Sequence, residues 1–217
     1  ILVFLLLNLL LGSVAIPFRA VWNILTGGEG DPVAWQNIIL KSRLPQALTA
    51  LVAGAGLSIS GLQMQTIFRN PLAGPSVLGI SSGASLGVAF VVLLSGQLGG
   101  VALSRLGFIG EVALSIAAIV GALSVMGLIV LASRKVAGSV TLLIIGVMIG
   151  YIANAVIGVL KFFSVEEDIK AYVIWGLGSF ARVSGNQMML FVTIMAVIIP
   201  LSFLLIKPLN LLMLGDG

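Results

Sequence analysis

Long stretches without a single charged residue cover most of this sequence, and they restrict its fold more than any other feature. Each stretch is near or above the ~20 apolar residues that an α-helix needs to cross a hydrocarbon core about 30 Å thick. A charge at the centre of such a helix costs about 2.5–3.5 kcal/mol on insertion scales. We therefore predict an all-α, polytopic transmembrane helical bundle with six spans. The six uncharged stretches are 1–18, 44–68, 70–104, 112–133, 136–160 and 183–206.

The composition supports a membrane protein and argues against other classes. Only 8% of the residues are charged and 59% are hydrophobic, whereas a soluble domain carries roughly 25% charged residues. The net charge of +4 comes from basic residues scattered among loops without a basic cluster, so nucleic-acid binding is not expected. Cysteine and histidine are absent, which excludes disulfides, thiolate metal sites and imidazole chemistry.

The remaining polar residues offer little chemistry. The sequence has no G-x-x-x-x-G-K-[ST] loop, so ATP binding by that route is excluded. No ionisable residue lies inside a predicted span, which argues against a proton- or sodium-coupled carrier and leaves an intramembrane hydrolase without a base. We therefore predict a non-enzymatic pathway or scaffold that binds no cofactor or metal and takes its energy from another protein.

Charged, glycine and proline residues between the spans predict loops and short helices. Residues 18–42 are predicted as a loop that ends in a short interfacial helix around 32–40. The acidic residues at 166–168 predict a polar hairpin. The apolar piece 171–180 after it is too short to span, so a partly inserted helix is expected. Lys207-Pro208 predicts the end of the sixth span.

Several spans carry small residues at every fourth position, which places them on one helix face. Such a face lets a neighbouring backbone approach closely, so we predict tight helix packing, with a smooth pathway lining as the alternative. The second span is rich in glycine and serine and is the candidate for the centre of the bundle. The sets are Gly79, Gly83 and Gly87; Ala113, Ala117 and Gly121; and Gly146, Gly150, Asn154 and Gly158.

One group of motifs is more specific than these general features. Arg43-Leu44-Pro45 precedes a small-residue run at 54–61, and Arg69-Asn70-Pro71-Leu72-Ala73-Gly74-Pro75 follows that run. Trp175-Gly176-Leu177-Gly178-Ser179-Phe180 stands further along the chain. With these motifs the chain resembles the permease family of ABC importers for iron–siderophores, haem and cobalamin (FecCD-like, type II importers). The resemblance extends over the whole chain.

The resemblance implies an architecture and a set of partners. A family subunit has ten transmembrane helices, and this chain matches the first six, as a single transmembrane permease domain over 1–217. That domain would be truncated on its C-terminal side, with truncation at the N-terminus left open. The family forms homodimers in the bacterial inner (plasma) membrane, in contact with membrane lipid. Two cytoplasmic ATPase subunits bind the ATP, and a periplasmic substrate-binding protein delivers the ligand.

The implied function is import of an iron–siderophore, haem or cobalamin-like chelate. The alternative is a secondary carrier or a structural membrane protein without an ATPase partner. The resemblance places both chain ends in the cytoplasm, although counting Lys and Arg residues in the loops favours the opposite orientation.

The resemblance also assigns roles to single positions. Arg43 matches an outward-facing arginine that meets a carboxylate of the binding protein, with an interfacial anchor as the alternative. The second arginine expected three residues later is Gln46 here. Asn70-Pro71 matches a turn that narrows the pathway on the cytoplasmic side, and helix termination by Pro71 is an alternative or additional role for it. The other matches are the cytoplasmic gates at Asn70, Leu72, Ser139 and Val140, the ATPase coupling residues Leu214, Gly215 and Asp216, and the vestibule residues Trp175 and Phe180.

Overall fold

The computed structural model of the chain describes residues 1–28, 33–95, 108–136 and 138–214, and every regular element within them is helical. The predicted all-α class is confirmed for these residues. Their α-helices are α1 Leu2–Leu10, α2 Phe18–Leu25, α3 Val33–Ile38, α4 Leu44–Phe68, α5 Ile80–Ser95, α6 Phe108–Ser133, α7 Ser139–Phe163, α8 Glu166–Leu177, α9 Gly185–Ser202 and α10 Ile206–Leu214. A π-helical turn spans Ile39–Arg43, and 3-10 turns span Pro75–Leu78, Phe180–Arg182 and Phe203–Leu205.

Four helical segments in the described ranges are long and apolar enough to cross a membrane, so a multi-pass bundle is supported but the count of six is not confirmed. The described helix in the first predicted span is α1, which has nine residues. The third predicted span is represented by α5, whose 16 residues reach about 24 Å at 1.5 Å per residue. The four segments are Val33–Phe68, Ile109–Ser133, Val140–Phe163 and Gly185–Met213.

The helices group into two compact units, and the first joins Ile1–Ile59 to Ser179–Pro208. Within it, the prediction of a loop directly after residue 18 is wrong, because α2 forms there. Val21 and Ile24 lie three positions apart on one face of α2, and that face is buried. The hydrophobic cluster that buries it consists of Leu9, Ile16, Val21, Ile24 and Ile39.

The predicted interfacial helix and the predicted second span are one continuous element. Helical structure runs for 36 residues from Val33 to Phe68, through α3, the π-helical turn and α4. In the π-helical turn, the N–H of Leu44 donates to the carbonyl of Ile39, five residues earlier. A widened turn of this kind absorbs an extra residue without ending the helix, so no loop separates the two parts.

The prediction that Lys207-Pro208 ends the last span is wrong, because helical structure continues through a 3-10 turn into α10. The departure from regular α-helix occurs before Lys207, near Pro200. Pro200 lies inside α9 and cannot donate a backbone hydrogen bond, and the 3-10 turn begins three residues later. Pro208 lies in the first turn of α10, where its missing N–H removes no bond within that helix.

In the second unit, which joins Ser60–Gly178 to the segment from Leu209 onward, α5 and α6 pack through their small residues. A Cβ atom built on Gly121 would lie 2.1 Å from the carbonyl oxygen of Gly83. A Cβ atom built on Gly87 would lie 2.1 Å from the carbonyl oxygen of Ala117. Both distances are far inside van der Waals contact, so the close packing predicted from the four-residue spacing is confirmed for this helix pair.

Other small residues face open space. A Cβ atom built on Gly54, Gly61 or Gly158 would have no neighbouring atom within 4 Å. Gly54 and Gly61 belong to α4, whereas a Cβ atom on Gly56 of the same helix would lie 2.3 Å from Cε of Met195, so only part of the glycine content of α4 serves close packing.

We expect Gly121→Ala to destabilise the protein by about 1–3 kcal/mol, because the added methyl group forces α5 and α6 apart. Gly127→Ala is the matched control on the same helix, since a Cβ atom there meets nothing within 4 Å. Alanine is also a better helix former than glycine, by about 1 kcal/mol. Thermal unfolding of the detergent-solubilised protein compares the two variants. A midpoint for Gly121→Ala at or above that of Gly127→Ala would contradict the close packing.

Candidate functional site

The turn after α4 contains the first predicted gate, and its backbone is tightly determined. The N–H of Asn70 donates to the carbonyl of Gln65 at 3.1 Å, and the N–H of Arg69 donates to the carbonyl of Thr66 at 3.3 Å. These two bonds form a Schellman motif, which needs a left-handed residue just after the helix, usually glycine. Arg69 fills that position with a φ of +46°, at a cost on the order of 1–2 kcal/mol for a residue with a Cβ atom. In the described part of the chain, no other non-glycine residue has a positive φ.

Asn70 and Pro71 complete the turn. Oδ1 of Asn70 accepts the N–H of Leu72 at 2.9 Å, and the backbone carbonyl of Asn70 accepts the N–H of Ala73 at 3.0 Å. Asparagine favours such local bonds, and proline presets the φ of the second residue of a turn. The helix-termination role of this segment is therefore confirmed. It places Leu72, with 86% of its surface exposed, on a constrained backbone.

The turn after α4 and the first turn of α7 contribute residues to one hydrophobic cluster. Ala73 of the turn packs with buried residues of α6, and Leu142 in the first turn of α7 packs against that cluster. Ser139 is the first residue of α7, and the Val140 side chain is 68% exposed. The cluster therefore holds residues that neighbour the predicted gates in sequence, whereas Leu72 and Val140 themselves are exposed aliphatic side chains.

Backbone contacts also hold the turn region against α7. Gly79 follows the 3-10 turn with a φ of +72°, and a Cβ atom there would lie 2.5 Å from the carbonyl oxygen of Gly146. A Cβ atom on Gly146 would lie 2.8 Å from the Cα atom of Leu78. Glycine at both positions is therefore what allows the two segments to touch.

Arg69 connects the turn to α10, a contact that the sequence reasoning missed. Nη2 of Arg69 donates to the carbonyl oxygen of Leu212 at 2.7 Å, across 143 positions of sequence. Leu212 lies two residues before Leu214, the first predicted coupling residue and the last described residue of α10. Gly215 and Asp216 lie outside the described residues. The available sequence signal was an arginine directly before Asn70-Pro71, where the end of α4 favours glycine.

The predicted vestibule residues belong to two different elements. The polar hairpin predicted before them is wrong, because the acidic residues at 166–168 form the first turn of α8, where the helix dipole favours negative charge. Trp175 lies on α8 and packs against the hydrophobic cluster of α5 and α7. Gly178, with a φ of +65°, follows the end of α8. Phe180 begins the next 3-10 turn and is 47% exposed.

Tyr172 holds α8 against the rest of the second unit. The side chain is buried, and its ring centroid lies 6.5 Å from that of Trp175. Nζ of Lys161 lies 4.8 Å from the Tyr172 ring centroid, a cation–π contact. Burial raises the pKa of the Tyr172 hydroxyl above its ordinary value, and a hydrogen bond with Ser85 opposes part of that shift. The ring is therefore neutral at physiological pH.

Arg43, predicted to meet a carboxylate of a binding protein, has a buried side chain. Only 6% of its surface is exposed; Nη1 donates to the carbonyl of Leu9 at 2.7 Å, and Nη2 donates to the carbonyl of Val14. Leu9 lies in the last turn of α1, where carbonyl groups lack partners within the helix. The guanidinium satisfies this helix end and is favoured by its dipole, so local hydrogen bonding explains the burial.

Comparison with known proteins identifies the group to which this helical chain belongs. The FecCD transport family matches residues 1–217. The chain belongs to the FecCD transport family. A solved structure described as an inward-facing conformation of a metal-chelate type ABC transporter also resembles it, with a TM-score of 0.77 and 28% identity, over 99% of this chain and 62% of that chain.

Curated FecCD relatives include permeases named for three kinds of ligand. The hemin transport system permease protein HmuU of Yersinia pestis is 33% identical, over 95% of this chain and 58% of the relative. A probable iron chelatin transport system permease protein of Helicobacter pylori is 40% identical, over 83% of this chain and 51% of the relative. The vitamin B12 import system permease protein BtuC of Klebsiella pneumoniae is 34% identical, over 96% of this chain and 60% of the relative. The chain thus spans between about half and three-fifths of the length of these relatives.

We expect Arg43→Met to destabilise this FecCD family member by about 1.5–3 kcal/mol, because hydrogen bonds from a charged donor to two buried carbonyls are lost. Arg19→Met is the matched control, since Arg19 lies on α2 and is exposed. The measurement is the thermal unfolding midpoint of each variant in detergent. Equal midpoints for the two variants would show that the Arg43 bonds add nothing to stability.

Proposed function

We propose that this chain forms transmembrane permease structure of an ABC importer in the bacterial inner membrane. The importer moves an iron–siderophore, haem or cobalamin-like chelate, and a separate ATPase supplies the energy. The observation that carries the proposal is the FecCD family match over residues 1–217, with relatives named as hemin, iron chelatin and vitamin B12 permeases. The four long apolar segments support a place within the membrane.

The proposed architecture is a homodimer of ten-helix subunits in contact with membrane lipid, of which this chain supplies six crossings with both ends cytoplasmic. Four crossings rest on the long apolar segments, and α5, about 24 Å long, supplies a fifth. The sixth crossing is the first predicted span, in which the described helix α1 has nine residues. Cytoplasmic ATPase subunits and a periplasmic binding protein are the proposed partners.

The proposed mechanism is alternating access, in which two gates open at different stages of the ATPase cycle. Asn70 and Leu72 form one cytoplasmic gate, and Ser139 and Val140 form the other. Ala73 and Leu142, which follow the two gates in sequence, share one hydrophobic cluster, and this favours concerted movement because displacement of one segment disturbs the packing of the other. A ligand is moved in this way only if the two states differ in affinity for it, and ATP bound by the partner ATPase is proposed to supply that difference.

The docking role proposed for Arg43 is indirect. The burial of Arg43 argues against direct contact with a carboxylate of the binding protein. The bonds of Arg43 to Leu9 and Val14 favour a role in holding the surface that surrounds them. Leu214, Gly215 and Asp216 are proposed to meet the ATPase, and Trp175 and Phe180 to line the outer vestibule.

Reconstitution of the complete permease with its ATPase and binding protein tests the proposed function. We expect ATP-dependent uptake into proteoliposomes of a ferric siderophore, haem or cobalamin, together with ATP hydrolysis stimulated by the binding protein. Vesicles that contain a non-hydrolysable ATP analogue serve as the control. Substrate flux driven by an ion gradient without the ATPase would overturn the proposal in favour of a secondary carrier.

The exposed Leu72 gives a test of the first gate. We expect Leu72→Ala to raise the ATP-independent leak of substrate from loaded proteoliposomes several-fold, because a smaller side chain leaves the constriction open. Leu123→Ala on α6 removes another exposed leucine side chain outside the proposed gates and is expected to leave the leak unchanged. Equal rates of substrate leak in the two variants would show that the Leu72 side chain does not form the gate.

A further inference from the structure

The side chain of Arg69 makes a contact with α10 that lies outside the two proposed gates. We propose that Arg69 is a positioning residue that transmits displacement of the coupling segment to the gate turn at Asn70–Leu72. This inference rests on the proposed function, because it assumes an ATPase that moves the end of α10. Its direct basis is the 2.7 Å hydrogen bond from Nη2 of Arg69 to the carbonyl oxygen of Leu212.

The choice of residue at position 69 supports a role for the side chain. The Schellman motif that ends α4 is formed by backbone atoms, and glycine satisfies its left-handed position without steric cost. Arg69 instead adopts a φ of +46°. The turn itself gains nothing from an arginine there, whereas the bond to Leu212 requires a long side chain with a donor.

The location of the bond suits transmission between two segments. Arg69 directly precedes Asn70, and Leu212 lies two residues before Leu214. The turn beyond Arg69 is braced internally by the two bonds that Asn70 accepts from Leu72 and Ala73. A pull on the guanidinium therefore displaces the turn as one piece, with the end of α4 as its hinge.

The contacts of the turn extend the effect to the second gate. Ala73 and Leu142 share one hydrophobic cluster, and Gly79 touches the backbone of α7 at Gly146. Movement of the turn therefore changes the packing of α7, which carries Val140. One hydrogen bond thus connects the coupling segment to both proposed gates.

The experiment compares transport with ATP consumption in the complete importer, reconstituted with its ATPase and binding protein. Arg69→Gly removes the link but keeps the left-handed turn, so the protein is expected to fold with an unchanged or higher unfolding midpoint. Arg69→Lys keeps a cationic donor on a shorter side chain. Arg134→Gln is the control, because Arg134 is an exposed cation just after α6.

We expect Arg69→Gly to hydrolyse ATP at nearly the wild-type rate while substrate moved per ATP falls about tenfold, as expected for loss of one charge-assisted hydrogen bond. Arg69→Lys should lie between Arg69→Gly and wild type, and Arg134→Gln should match wild type. Hydrogen exchange of the peptide containing Asn70–Leu72 should change on ATP addition in wild type but not in Arg69→Gly.

Each contrary result has a distinct meaning. An unchanged transport-to-ATP ratio in Arg69→Gly, or a proportional loss of both activities, would overturn the link while leaving the importer function intact. An Arg69→Lys ratio at or below that of Arg69→Gly, or an equal loss in Arg134→Gln, would likewise count against it. Absence of ATP-driven uptake in wild type would overturn the proposed function, and the link with it.

Discussion

The hydrocarbon core of a membrane offers no hydrogen-bonding partner to a peptide group, and the rest of this structure depends on that constraint. A helix satisfies its own N–H and C=O groups, which is why every described regular element is helical. The same constraint acts where helices end. At the end of α1 and just beyond it, the guanidinium of Arg43 donates to the carbonyls of Leu9 and Val14. At the end of α4, the Schellman motif and the Asn70 side chain pair the backbone groups of the turn.

Helices in lipid gain little from the hydrophobic effect when they associate, so close backbone packing takes its place. Gly83 and Gly87 of α5 approach the backbone of Ala117 and Gly121 of α6 so closely that the three glycines have no room for a side chain. Such contacts pack α5 closely against α6 in the same unit as the turn after α4. The turn can therefore present an exposed leucine without depending on that leucine for its conformation.

The importer mechanism proposed above needs a mechanical path from the ATPase to the proposed gates. In this member of the FecCD family, Arg69 occupies a position that favours glycine and reaches α10 through its side chain. Local stability and long-range contact thus place opposite demands on one residue. The structure shows the contact, and the proposed role follows from the segments that it joins.

The charge-free stretches predicted the helical class, and the four-residue spacing predicted the α5–α6 packing. Both signals lie within a single stretch of sequence, as the length of an apolar run and as the spacing of small residues. The motif around Asn70-Pro71 also predicted the end of α4. The continuity of α3 with α4, the extension beyond Pro208 and the burial of Arg43 were not predictable in this way. A π-helical turn, a 3-10 turn and a guanidinium between two carbonyls leave no periodic trace. The sequence by itself therefore determined that the chain forms apolar helices and where glycine permits contact. The tertiary structure alone decided which charges meet which carbonyls, because such bonds join residues as distant as Arg69 and Leu212.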